Sequence, residues 1–272
     1  MESEYISLAS LPFMNSAQKI IFKIPGALEQ FELVQLIPIR IFCWDISYTN
    51  SSFFIILGLG FLLLLKKIIF MGGRGSLLPN RWQALLEGVY KFIGETVMDN
   101  IGEKGRVFFP FVFSLFLFLL TVNLIGMVPY AFTATSHLIV TLFLALIVYI
   151  GVNFLLFNNH GYHGLSLFLP QGAPFLLVPT LILIEFISNL IRVVSLSVRL
   201  FANIIAGHIL LNILLGFAWG MIINGGFYFL LHLLPLFIVY ILLFIETAVA
   251  IIQAYVFVAL TCIYLNESIN LH

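Results

Sequence analysis

Between Val107 and Asn266 only four side chains carry a formal charge: Glu185, Arg192, Arg199 and Glu246. Their background is Phe, Leu, Ile and Val. A charge at the centre of a bilayer costs at least about 2.5 kcal/mol, so ionisable residues kept there point to a path for ions or protons. At about 100° per residue, Glu185, Ser188, Arg192, Ser195 and Asn203 all fall within roughly 40° of Arg199 on a helix. Together the stripe runs about 27 Å along the axis. A polar stripe of that kind must line a hydrated cleft or face a polar partner.

Plainer readings compete with this one. Glu185 and Arg192, seven residues apart, could be an ion pair locking two helices. For Arg199 the next acid in the chain is Glu246. Either those two pair and the charge is structural, or the carboxylate that answers Arg199 comes from another subunit. His208 falls about 180° from Arg199 on an ideal helix and so faces elsewhere, unless Gly207 marks a distortion. Gln253 is seven residues beyond Glu246 and shares its face. His208, Glu246 and Gln253 are therefore expected to form a second polar cluster, near the outer side of the membrane. Imidazole titrates near neutrality, which suits a proton relay. The remaining histidines, His137, His160, His163, His232 and His272, are read as interfacial or packing residues, and Asn123 as a hydrogen bond between helices.

The elements that must position these groups are apolar. Of 272 residues, 62% are hydrophobic and 9% charged, and mean hydropathy is +1.13. Soluble domains carry about 25% charged residues, so this is an all-α integral membrane protein. The formal net charge is zero, and nothing points to nucleic acid. No Cys/His spacing suggests zinc or another metal, no cofactor is implied, and Cys43 and Cys262 read as packing residues.

Residues 1–24 read as a removed leader or an N-terminal segment. Residues 25–272 form one membrane domain, with 25–46 an interfacial lead-in holding Pro25, Gly26 and Pro38. The 20 uncharged residues between Asp45 and Lys66 give a first span over 47–66. A Gly-rich turn follows at Gly72–Gly75. Trp82, Leu85, Leu86, Val89, Tyr90 and Ile93 recur at helical spacing within 80–104, which predicts an amphipathic surface helix. Spans are expected at 107–129 and 137–157, and a re-entrant connection at 165–178. Residues 179–215 and 227–265 form two overlong helices. About 36 residues make some 54 Å of helix against about 30 Å of hydrocarbon, so they must tilt, bend or break, with Pro235 a kink. About five crossings result, the last two as a tilted hairpin. Seven of the twelve Lys and Arg lie between the first two spans. The positive-inside rule puts that loop and the C-terminus inside, and the N-terminus outside.

Two runs carry a family resemblance. Ser195-Leu196-Ser197-Val198-Arg199-Leu200-Phe201-Ala202-Asn203-Ile204-Ile205-Ala206-Gly207-His208 and Glu246-Thr247-Ala248-Val249-Ala250-Ile251-Ile252-Gln253-Ala254-Tyr255-Val256-Phe257 closely resemble the signatures of subunit a of F-type ATP synthases. Asn123-Leu124-Ile125-Gly126-Met127-Val128-Pro129-Tyr130 and Ile263-Tyr264-Leu265-Asn266 agree as well. The similarity extends from about Leu28 to His272, and His208 with Glu246 is the mitochondrial pattern.

That resemblance implies a stator channel in the mitochondrial inner membrane, or in a bacterial plasma membrane. Its partners would be a rotating ring of c subunits, other stator and peripheral-stalk subunits, protons and membrane lipid. Arg199 would face the ring carboxylate. Glu246, His208, Asn203 and Gln253 would belong to an outer half-channel. Glu185, Ser188 and Arg192 would lie toward an inner one, with Ser195 beside them. A ring carboxylate facing lipid must be neutral, and an opposite charge nearby favours its ionised form. Proton rather than sodium coupling follows from the resemblance. Two other classes compete: a secondary transporter, which would show internal repeats that the halves of this chain lack, and a structural subunit whose charges only join helices.

Overall fold

The computed structural model describes residues 29–41, 44–45, 47–71, 80–128, 131–161, 177–224, 226 and 228–270. The possible leader, Pro25, Gly26, Cys43, the Gly72–Gly75 turn, Pro129, Tyr130, His163, His272 and nearly all of the 165–178 connection lie outside the described residues.

Among the described residues, five helices are long and apolar enough to cross a membrane: α1 (Asn50–Met71), α3 (Phe109–Gly126), α4 (Leu138–His160), α5 (Val178–Asn224) and α7 (Leu233–Ile269). The chain is an all-α integral membrane protein. Between α1 and α3 lies α2 (Arg81–Ile101), and a single turn, α6 (Tyr228–Leu231), precedes α7.

The lead-in is more structured than its sequence suggests. A 3₁₀ turn at Glu29–Phe31 precedes four short strands: β1 (Gln35–Ile37), β2 (Arg40–Ile41), β3 (Trp44–Asp45) and β4 (Tyr48–Thr49). β1 pairs antiparallel with β4, and β2 with β3. Pro38, which has no N–H to give, falls between β1 and β2 where the ladders part. Asn50 joins this hairpin to α1. Its backbone N–H donates to the Val34 carbonyl at 3.1 Å, and its Nδ2 to the Glu32 carbonyl at 3.0 Å. Its Oδ1 accepts from the Ser51 N–H at 2.9 Å, supplying one of the partners a helix start lacks.

Part of the apolar stripe expected on α2 packs against the protein and part does not. Ile93, Thr96, Val97 and Ile101 are buried against α3 and α7, while Trp82, Leu85, Tyr90 and Phe92 are exposed. Asn80 caps its start, its Oδ1 accepting from the Arg81 N–H at 2.8 Å. Gly102 ends it at φ 79°, a left-handed conformation glycine adopts without steric cost.

α5 runs beyond 215 to Asn224 as 47 uninterrupted residues. At about 1.5 Å per residue that is roughly 70 Å, so it lies oblique to the bilayer or projects beyond the hydrocarbon. α7 starts at Leu233 rather than 227. Pro235 does not kink a long helix from within. It sits in the first turn of α7, and the chain is interrupted at His232, just before it. Pro235 has no N–H for the Leu231 carbonyl, so α6 and α7 do not fuse.

α5 and α7 pack along each other, with α3 and α4 against them. Leu200, Ala250, Ala254, Phe257, Val258 and Cys262 are fully buried there. Small residues such as Ala250 and Ala254 let neighbouring helix backbones come close. The outward faces of α1, α4 and α5 carry exposed Leu, Ile and Phe, as lipid contact requires.

The α3–α4 connection folds back onto α3. Thr133 Oγ1 donates to the Gly126 carbonyl at 3.2 Å, and Thr135 Oγ1 to Asn123 Oδ1 at 3.1 Å. Fully buried Asn123 donates in turn to the Ala250 carbonyl on α7 at 3.4 Å. A Cβ on Gly126 would run into the Thr133 side chain. Gly126→Ala should therefore destabilise the fold by about 1–3 kcal/mol, read as a lower thermal-inactivation midpoint of the assembled protein. Gly60→Ala, where a Cβ meets open space, should leave that midpoint unchanged.

Candidate functional site

Two polar clusters lie along the α5–α7 pair, one near its middle and one toward the C-terminus of α7. The first joins His208 on α5 to Glu246 on α7, both buried. His208 Nε2 stands 3.2 Å from Thr133 Oγ1 and 3.8 Å from Glu246 Oε1. The second distance is too long for a direct hydrogen bond. Thr133 has one hydroxyl proton, which the Gly126 carbonyl takes. Its oxygen is then left to accept from His208, which assigns the imidazole proton to Nε2.

Gly207 makes room for the acid. A Cβ there would stand 2.5 Å from Glu246 Oε1 and 2.7 Å from its Cδ. Two turns further along α7, Gln253 is buried, and its Oε1 accepts from Asn203 Nδ2 at 3.1 Å. Both Glu246 carboxylate oxygens and Gln253 Nε2 are buried without a hydrogen-bond partner among the described residues. Leaving such groups unsatisfied costs about 1–3 kcal/mol each, so they call for water or a mobile proton.

The second cluster lies toward the C-terminus of α7. Arg192 Nη1 donates to Glu267 Oε2 at 3.1 Å and to Oε1 at 3.3 Å. The two side chains are 37% and 38% exposed, so the pair contributes no more than about 1 kcal/mol to stability. A small cleft beside it is lined by Asn153, Asn189, Tyr264, Glu267 and Ser268. Asn270, just past α7, accepts from Lys104 Nζ at 3.1 Å, so the basic loop sits at this end. Glu267 is the residue that sequence reasoning missed. It lies one residue beyond the apolar window ending at Asn266, although it keeps the seven-residue spacing of Glu246 and Gln253.

This corrects the Glu185–Arg192 alternative: Arg192 answers Glu267. Glu185 is half-buried and makes no ion pair or side-chain hydrogen bond among the described residues. Ser188 is half-buried on the same face, and Ser195 is exposed. Arg199 is exposed as well, and no carboxylate pairs with it among the described residues. The alternative of an Arg199–Glu246 pair fails, since Glu246 faces His208. On the other side of α5, buried Ser197 shares a 3.2 Å hydrogen bond with Thr141 of α4. The stripe therefore divides into Arg192 bound to α7, Asn203 bound to α7, and Arg199 turned outward between them.

The other described histidines lie apart from the two clusters. His137 stacks on Phe132 with ring centroids 5.2 Å apart, and burial pushes its pKa down. His160 Nε2 lies 3.3 Å from the Ile269 carbonyl. His232 is half-buried at the α6–α7 interruption.

A buried polar cluster and a half-exposed ion pair on one helix pair, with an outward-facing guanidinium between them, define a multi-pass membrane protein that moves ions. A family model described as ATP synthase A chain matches residues 52–266. ATP synthase subunit a of Chondrus crispus is 47% identical over 251 residues, covering 92% of this chain and 98% of the relative. Those of Marchantia polymorpha and Brassica napus are 49% and 50% identical, over 90% of this chain and 98% and 96% of theirs. The chain belongs to the ATP synthase A chain family, the proton-translocating stator subunit of the membrane sector of ATP synthase.

Gly207→Ala should push the Glu246 carboxylate off α5. ATP-driven proton pumping by the assembled complex should drop about tenfold or more, since misplacing a transfer group by about 1 Å can cost a hundredfold. The shorter acid of a Gly207→Ala/Glu246→Asp double variant should recover part of that loss.

Proposed function

We propose that the two clusters are the ends of two proton half-channels that do not meet, and that Arg199 is the barrier between them. One observation carries this reading. Arg199 is exposed with no carboxylate paired to it among the described residues, in a span where an unanswered charge is costly. Its counter-charge then comes from a neighbouring subunit, a ring of c subunits bearing an intramembrane carboxylate. Ser195, Asn203 and Ala206 are exposed on the same helix, and small side chains of this kind let a partner helix approach closely.

Protons enter at the outer cluster, where Glu246 and His208 receive them and Asn203 and Gln253 complete the polar lining. The ring carboxylate takes up a proton there, becomes neutral and turns into lipid. Returning on the other side, it releases the proton toward Arg192, Glu185 and Ser188. Near Arg199 it stays ionised, because an adjacent opposite charge favours that form. A guanidinium keeps its charge at any working pH, whereas a lysine can lose its proton when desolvated. Each proton brings about 2.3 kcal/mol per 100 mV of membrane potential, which the stator converts to rotation.

The basic loop at the Arg192 end marks the inner side by the positive-inside rule. The N-terminus is then outside and the C-terminus in the matrix, with the inner mitochondrial membrane as the location. Other stator and peripheral-stalk subunits complete the assembly.

Arg199→Ala should assemble but lose ATP-driven proton pumping, with a passive leak opening between the half-channels. Arg199→Lys should be nearly as damaging. Unchanged pumping in either variant returns Arg199 to a structural role. Glu246→Gln should slow proton uptake on the order of a hundredfold without blocking assembly, as followed by passive proton conductance. Wild-type conductance in that variant removes Glu246 from the relay.

A further inference from the structure

The 3₁₀ turn ahead of α1 has no part in the proton path described so far, yet it closes one side of the outer cluster. Gln30 spends both ends of its carboxamide there. Its Nε2 donates to the Ala131 carbonyl at 3.1 Å, and its Oε1 accepts from Asn212 Nδ2 at 2.9 Å. The assignment is chemical: a carbonyl can only accept, so the amide nitrogen must face Ala131. Asn212 lies one helical turn beyond His208 on α5, on the same face. Ala131 belongs to the connection that carries Thr133. The next residue, Phe31, is 8% exposed. Its ring meets the His208 imidazole edge-on, with centroids 5.9 Å apart and planes at 76°. The Asn50 bonds to Glu32 and Val34 fasten the far side of the same segment.

We infer that Gln30 is a positioning residue for proton transfer at His208, clamping the turn to α5 and to the α3–α4 connection so that Phe31 holds the imidazole in place. The inference rests on the reading of His208 and Glu246 as a proton relay. Rotation about the terminal bond of a histidine is broad and roughly two-fold, so an imidazole needs neighbours to choose its orientation. Thr133 holds Nε2 from one side. Phe31 blocks the ring from turning away and keeps water off that edge. Relaxing either contact lets Nε2 leave the position from which it reaches toward Glu246. Among the described side chains, the titratable group facing His208 from α7 is Glu246. The turn itself brings exposed Glu32 beside Phe31. The α3–α4 connection presents non-titrating Thr133, while its His137 is stacked on Phe132.

The test uses membranes containing the assembled complex. Passive proton conductance is followed against external pH for wild type, Gln30→Ala, Asn212→Ala, the double variant, Phe31→Leu and Glu246→Gln. Gln30→Ala should conduct about tenfold less per assembled complex, with a shifted pH profile. The double variant should be no worse than Gln30→Ala alone, because both substitutions break the same clamp. A merely structural turn would lower the amount of complex and leave conductance per complex and its pH profile as in wild type, which overturns the proposal. If Gln30→Ala does not assemble, Phe31→Leu decides: a shifted profile supports the clamp and an unchanged one overturns it. Loss of conductance in Glu246→Gln beside normal Gln30→Ala and Phe31→Leu sinks the clamp alone. Normal conductance in Glu246→Gln sinks the relay and the clamp together.

Discussion

A guanidinium on a bilayer-spanning helix must be answered by an opposite charge or by water, because hydrocarbon offers neither. Arg199 pairs with no acid among the described residues, and this constrains the rest of the molecule. The carboxylates that could have neutralised it are occupied or turned elsewhere: Glu267 holds Arg192 and Glu246 faces His208. That separation leaves Arg199 available to a partner. It also keeps the two polar clusters apart, about 24 Å of helix separating Arg192 from His208.

Holding the clusters apart requires close, rigid contact between α5 and α7. Gly207, Ala250 and Ala254 supply it through their lack of bulk. At Gly207 the missing Cβ is the space in which the Glu246 carboxylate sits. The same economy appears at Gly126, where the α3–α4 connection closes down so that Thr133 reaches His208. The run from Asn123 to Gly126 is therefore a scaffold for the His208–Glu246 cluster, acting through backbone, carboxamide and hydroxyl contacts with no charge of its own.

Much of this was legible in the chain. Charge spacing picked out Arg199, Glu246 and His208, and a half-turn offset set His208 apart from the Arg199 face. Hydropathy gave the membrane class and the five spans, because a segment must be apolar for about 20 residues to cross. Other features were hidden. Glu267 escaped notice because the apolar window ended one residue before it. The β-ladders of the lead-in are two and three residues long, too short for an alternating pattern to register. Helix ends were displaced where local chemistry overrode hydropathy, as at Asn224 and at the His232 interruption before Pro235.

The sequence by itself determined which residues carry charge in an apolar background and on which face of its own helix each lies, since helical period and bilayer thickness are fixed quantities. Which partner each residue meets was decided only by the tertiary structure. Arg192 could have taken Glu185, and Arg199 could have taken Glu246. Gln30 and Asn212 are 182 residues apart in the chain yet share a hydrogen bond. Pairings of that range depend on how far helices slide and rotate against one another, which is set by where small side chains let backbones approach, and no periodicity within a single helix encodes it.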